Sequence, residues 1–186
     1  AQNFTSATNV YNTAVGHNAG AEVTTGDRNT LIGGLAGDAL NTGAANVAVG
    51  YLALTSDTKG SSNVAIGRGA LHDQNFTTGT DSFNTAVGDR AGENVTTGIQ
   101  NTIVGGLAGD ALTVGSTNVA LGVSALGADT KGNSSVAIGS SALRLQNFTT
   151  ATDVYNVAIG RAAGENVTTG THNTFIGGLA GDANTT

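Results

Sequence analysis

Asn29-Thr30-Leu31-Ile32-Gly33, Asn46-Val47-Ala48-Val49-Gly50 and Asn63-Val64-Ala65-Ile66-Gly67 spell one phrase three times at steps of 17 residues. The phrase is asparagine, a β-branched residue, an apolar residue, a larger aliphatic and glycine. It starts again at Asn12, Asn84, Asn101, Asn118, Asn156 and Asn173, and at Ser135 with serine in place of asparagine. Consecutive copies are 17, 17, 17, 21, 17, 17, 17, 21 and 17 residues apart, so a 72-residue period lies above the shorter one. QNFT recurs on that longer period at Gln2, Gln74 and Gln146, as does GGLAGDA at Gly33, Gly105 and Gly177. Ten copies at fixed intervals define a repeat architecture. Residues 1–186 read as one repeat domain, with super-repeats at about 1–72 and 73–144 and a partial one at 145–186.

The phrase alternates with a period of two and is rich in Val, Ile and Thr, which predicts a short strand. A column of small residues follows three positions after its glycine, at Ala19, Ala36, Ala53 and Ala70, and predicts a second short strand. A turn then ends at Gly26, Gly43, Gly60, Gly98, Gly115, Gly132 or Gly170, where glycine is expected to supply a positive φ. A helix is excluded, because no 3.6-residue stripe persists and glycine is too frequent. The fold expected is all-β, a parallel β-roll or β-solenoid of about ten coils stacked about 4.8 Å apart. The asparagine heading each strand is expected to stack on its neighbours or to bond the local turn.

The two sides of the strand differ. Val15, Ile32, Val49, Ile66, Val87, Val104, Leu121, Ile138, Ile159 and Ile176 form one row, with Thr or Val two positions earlier. The residue between is alanine except at Leu31, Ile103 and Phe175, where a second glycine (Gly34, Gly106, Gly178) is expected to make room. If alanine fills a thin interior, the aliphatic row is left outside, and a stripe of that length exceeds what a monomer usually exposes. The row is therefore the expected oligomer interface, with a three-fold axis suited to a narrow rod. In the alternative, Val and Ile point into a fatter monomeric coil.

Composition narrows the function. Of 186 residues 29 are glycine, none is Cys, Met, Trp or Pro, and the net charge is −6. Disulfides and cysteine-ligated metals are excluded, and an acidic chain without a basic patch does not bind nucleic acid. No apolar run is long enough for a membrane span. His17, His72 and His172 do not recur on the 72-residue period, whose counterparts are Asp89, Arg144 and Gln100. Asp38, Asp110 and Asp182 recur, as do Asp57 and Asp129, but four coils put them about 19 Å apart, too far for an acid–base pair or one metal. GGLAGDA lacks the Lys-[Ser/Thr] of a phosphate loop. No catalytic, metal or cofactor-binding residue is predicted, and no enzyme activity. Two aromatic columns mark the 21-residue coils: Phe4, Phe76 and Phe148, and Tyr11, Phe83 and Tyr155. The Phe4, Phe76 and Phe148 loops either present a ring to a receptor protein or glycan, or tuck it back onto the roll as scaffolding.

The tandem NVAIG phrase followed by small residues resembles the head repeat of trimeric autotransporter adhesins, the YadA-like left-handed parallel β-roll. Similar NTAVG…A…TTG arrays occur in bacteriophage tail fibres. The resemblance spans about residues 10–183. It implies a left-handed homotrimeric head or stalk without cofactor or catalytic activity, displayed outside the cell or on a virion. The adhesin repeat is shorter, so this coil carries extra residues in its turn. The functional expectation is a fibrous attachment protein, an adhesin head or stalk. Its rivals are a phage tail-fibre shaft and, from another class, an ice-binding monomer whose Thr-x-Val ladder orders water.

Overall fold

The computed structural model describes residues 10–186. Among them no helix forms, and ten three-residue strands build one parallel sheet in chain order. These are β1 (Thr13–Val15), β2 (Thr30–Ile32), β3 (Val47–Val49), β5 (Val64–Ile66), β7 (Thr85–Val87), β8 (Thr102–Val104), β9 (Val119–Leu121), β11 (Val136–Ile138), β13 (Val157–Ile159) and β14 (Thr174–Ile176). The phrases pair in register, Leu31 beside Ala48 and Ala65 beside Ala86, so sequence columns become columns in space. The described residues form a β-solenoid of about ten coils. The longer coils add two small parallel ladders: β4 (Gly60–Ser61) with β6 (Thr80–Asp81), and β10 (Gly132–Asn133) with β12 (Thr152–Asp153).

Glycine closes each strand for two reasons. Its φ lies between 124° and 142°, a region closed to residues with a Cβ, and a Cβ at Gly33 would run into the Gly50 carbonyl of the next coil. The second strand expected after it does not form. The segment is a run of turns in which alternate residues take a left-handed backbone, as at Leu52 (φ 60°) and Leu54 (φ 53°). Alternate amides therefore face opposite neighbours: Leu52 N–H donates to Gly34 O of the coil before, and Leu54 N–H to Ala70 O of the coil after, each at 3.0 Å. Coil-to-coil bonding is thus kept without a regular ladder. The turn glycines also differ from expectation. Gly26, Gly43 and Gly98 do not need a positive φ; a Cβ on each would strike the carbonyl of the next glycine in the column.

The interior is one side chain deep and is filled differently from coil to coil. In the second coil Leu31 points inward from the strand, and a Cβ on Gly37 would stand 2.8 Å from its Cδ2. In the third the strand supplies only Ala48, and Leu54, the counterpart of Gly37, fills the space instead. The same exchange recurs with Ile103 and Gly109 against Ala120 and Leu126. Room for the large strand residue comes from Gly37, Gly109 and Gly181, which contact Leu31, Ile103 and Phe175, and not from Gly34, Gly106 and Gly178. Those lie beyond the strand, where Gly34 faces the Tyr51 ring.

Candidate functional site: an outward aliphatic face

With the middle residue of each of the eight inner strands of the main sheet buried, its two neighbours must face out. Ala48, Ala65, Ala86, Ala120, Ala137 and Ala158 are wholly buried, whereas the aliphatic row keeps 37–39% of its surface at Ile32, Ile66, Val104 and Ile159. Val15 and Ile176, on the two outermost strands described, are more exposed, and Val49, Val87, Leu121 and Ile138 are half-buried. Beside it runs the parallel row Thr13, Thr30, Val47, Val64, Thr85, Thr102, Val119, Val136, Val157 and Thr174. The alternative in which Val and Ile line the coil interior is not what forms.

Flanking positions widen the face. Tyr51 and Val123, just beyond the strand-closing glycines, are more than half exposed. Tyr11, Phe83 and Tyr155, just before the strand-heading asparagines, are exposed by 51–71%. Phe83 and Tyr155 hold a left-handed backbone, and the Tyr155 ring meets that of His172 at a centroid distance of 5.2 Å. Nine spacings of about 4.8 Å and five residues of about 3.3 Å give a flat footprint of roughly 700 Å².

The other aromatic column sits inside. Phe76 and Phe148 are only 7% and 8% exposed, so each ring is tucked under its loop, and Thr77–Thr78 and Thr149–Thr150 are exposed instead. Phe4 lies outside the described residues. The asparagine column is also internal. Asn29 Nδ2 donates to Gly43 O at 2.9 Å, closing its own coil, while its Oδ1 accepts the Asn46 N–H at 2.9 Å. Asn84, Asn101 and Asn118 repeat the pattern.

The longer coils bury a polar relay that the residue spacing did not reveal. Asp57 is fully buried and accepts from Gly60 N (2.9 Å), Phe76 N (3.2 Å) and Gln74 Nε2 (2.6 Å). Gln74 Oε1 in turn accepts from Asn84 Nδ2 at 2.8 Å. Asp129, Gln146 and Asn156 form the same relay 72 residues on. The Asp-x-x-Gly of DTKG, whose carboxylate caps its own turn, was the available signal. With these bonds made, no buried side-chain nitrogen or oxygen among the described residues lacks a partner.

His17 is exposed, and His72 Nδ1 lies 2.5 Å from Asp73 Oδ1. No group of three or more His, Cys, Asp or Glu among the described residues is arranged to hold a metal ion. No helix of the described residues is long and apolar enough to cross a membrane. The fold and this face define a β-solenoid repeat protein. No family model, curated protein or solved structure matches the chain.

Proposed function

We propose that this chain is a non-enzymatic, fibre-forming segment that associates with copies of itself through the outward face and serves attachment outside the cell or on a virion. The observation that carries the reading is the continuous pair of outward rows, aliphatic or threonine on each of the ten strands of the main sheet. Contiguous apolar patches on soluble monomers rarely exceed a few hundred Å², and a stable interface takes about 800 Å² from each partner. The flanked footprint lies between those values and grows with each coil. Three copies around an axis give every chain two neighbours, which suits a narrow rod. The in-register coils contribute length and stiffness, and the exposed loops at Thr77–Gly79 and Thr149–Ala151 repeat on the longer period as contact points for a host protein or glycan. An adhesin head or stalk and a phage tail-fibre shaft share this physics.

Sedimentation equilibrium at micromolar concentration tests the proposal. Three times the chain mass is expected, and Leu121→Lys with Ile138→Lys should reduce it to one while the β circular-dichroism signal is kept. A wild-type chain sedimenting as a monomer overturns the reading. If that monomer also shows thermal hysteresis, the outward face binds ice.

A further inference from the structure

A second surface feature lies along the run of turns that follows the strand-closing glycines. Asp110, Gly127 and Arg144 occupy the same repeat position, the fifth after Gly105, Gly122 and Gly139, in three successive coils. Their backbones are therefore about 4.8 Å apart in sequence order. Gly127 has no side chain, and a depression of about 210 Å³ opens above it between Asp110 and Arg144, walled by Leu107 and Leu145 with Ser124 alongside.

The first super-repeat shows what this position looks like when closed. There Thr55 stands where Gly127 does, and its hydroxyl donates to Asp38, the counterpart of Asp110. At Asp110 no other side chain supplies that bond. Burial raises its carboxyl above the ordinary range, opposed in part by its own backbone N–H and by Arg90. Arg144 is held in place by its Nε, which donates to Glu165 at 2.8 Å. Its charge is already balanced there.

The chemistry of the walls selects the occupant. A bare cation would meet Arg144 and a bare anion would meet Asp110, both of which line the depression, so neither charge is favoured. A neutral ring bearing hydroxyls satisfies both sides, because each hydroxyl donates to a carboxylate and accepts from a guanidinium or from Ser124. Its C–H face packs on the two leucines. The volume is below the roughly 300–1,000 Å³ of a site for a drug-sized molecule, which limits the occupant to a single ring. We propose that the depression over Gly127 binds one sugar ring, free or at the end of a glycan, with Asp110 and Arg144 as its polar contacts.

This inference does not depend on self-association. It is tested by titrating the ¹⁵N-labelled full chain with the methyl glycosides of glucose, galactose, mannose, N-acetylglucosamine and fucose. At least one should give saturable shifts confined to the amides around residues 124–128 and 144–145. Gly127→Thr restores the closed form seen at Thr55. Its backbone is not left-handed, and the nearest heavy atom to the new Cβ is Ser124 O at 3.2 Å, so the variant should fold. Gly127→Thr and Asp110→Asn should each weaken binding at least tenfold without lowering the melting temperature. An oligosaccharide ending in the same sugar should bind as well as the glycoside if the natural ligand is a glycan terminus, and markedly less well if it is a free monosaccharide. Absence of saturable shifts with all five glycosides, or equal affinity in Gly127→Thr, overturns the proposal.

Discussion

At the scale of single residues, the strand-heading asparagine holds each coil closed and ties it to the next. A backbone carbonyl and an amide lie buried inside each coil, and the carboxamide supplies both partners. Asn101 donates to Gly115 O and accepts from Asn118 N, both at 2.9 Å. Alanine there leaves two buried groups unpaired at about 1–3 kcal/mol each. Asn101→Ala should therefore lower unfolding free energy by about 2–6 kcal/mol, measured from the urea midpoint. A change under 1 kcal/mol would mean that water reaches the coil interior. Where serine heads the strand, at Ser135, Gln146 Nε2 reaches its hydroxyl at 3.0 Å. The exception thus comes with a partner from the longer coil.

At the scale of the coil, the large interior residue moves between two positions, the strand centre at Leu31 and Ile103 and the fourth residue after the glycine at Leu54, Leu71, Leu126 and Leu143. Leucine in a left-handed backbone is strained by about 1–2 kcal/mol, yet Leu54, Leu71, Leu126 and Leu143 all adopt it at zero exposure. Burying a leucine side chain offsets that strain, at roughly 1.5–3 kcal/mol. Ala120→Leu alone should overpack the seventh coil against Leu126 and destabilise by about 1–3 kcal/mol. Adding Leu126→Gly recreates the Leu31 and Gly37 arrangement and should recover most of the loss. Thermal melts of both single variants and the pair form the cycle. Additive effects would show that the two positions do not share space.

At the scale of the whole molecule, each coil contacts only its neighbours, so stability accumulates along the rod. Among the described residues the outward rows form a long apolar surface that stacking leaves uncovered. If three chains cover it, melting depends on concentration. A hundredfold dilution should lower the melting temperature by about 5 °C, given about 2–4 °C per kcal/mol for a chain of this size. The Leu121→Lys, Ile138→Lys variant should melt at one temperature throughout.

The spacing of the phrases determined the coil count, the parallel register and which residues share a column, because parallel stacking turns a period in sequence into a line in space. The pleat of a three-residue strand also put alanine and the Val/Ile row on opposite sides, and the tertiary structure decided that alanine is the one inside. Beyond the strand-closing glycine that rule lapses, since a backbone switching between left- and right-handed regions has no fixed side-chain alternation. Only the tertiary structure could therefore turn the expected second strand into turns and move the room for Leu31 from Gly34 to Gly37. It alone buried Phe76 and Phe148, sank Asp57 into a relay with Gln74 and Asn84, and left Asp110 uncovered above Gly127. Those outcomes depend on which neighbouring coil supplies volume or a hydrogen bond, and that is decided by contact between coils.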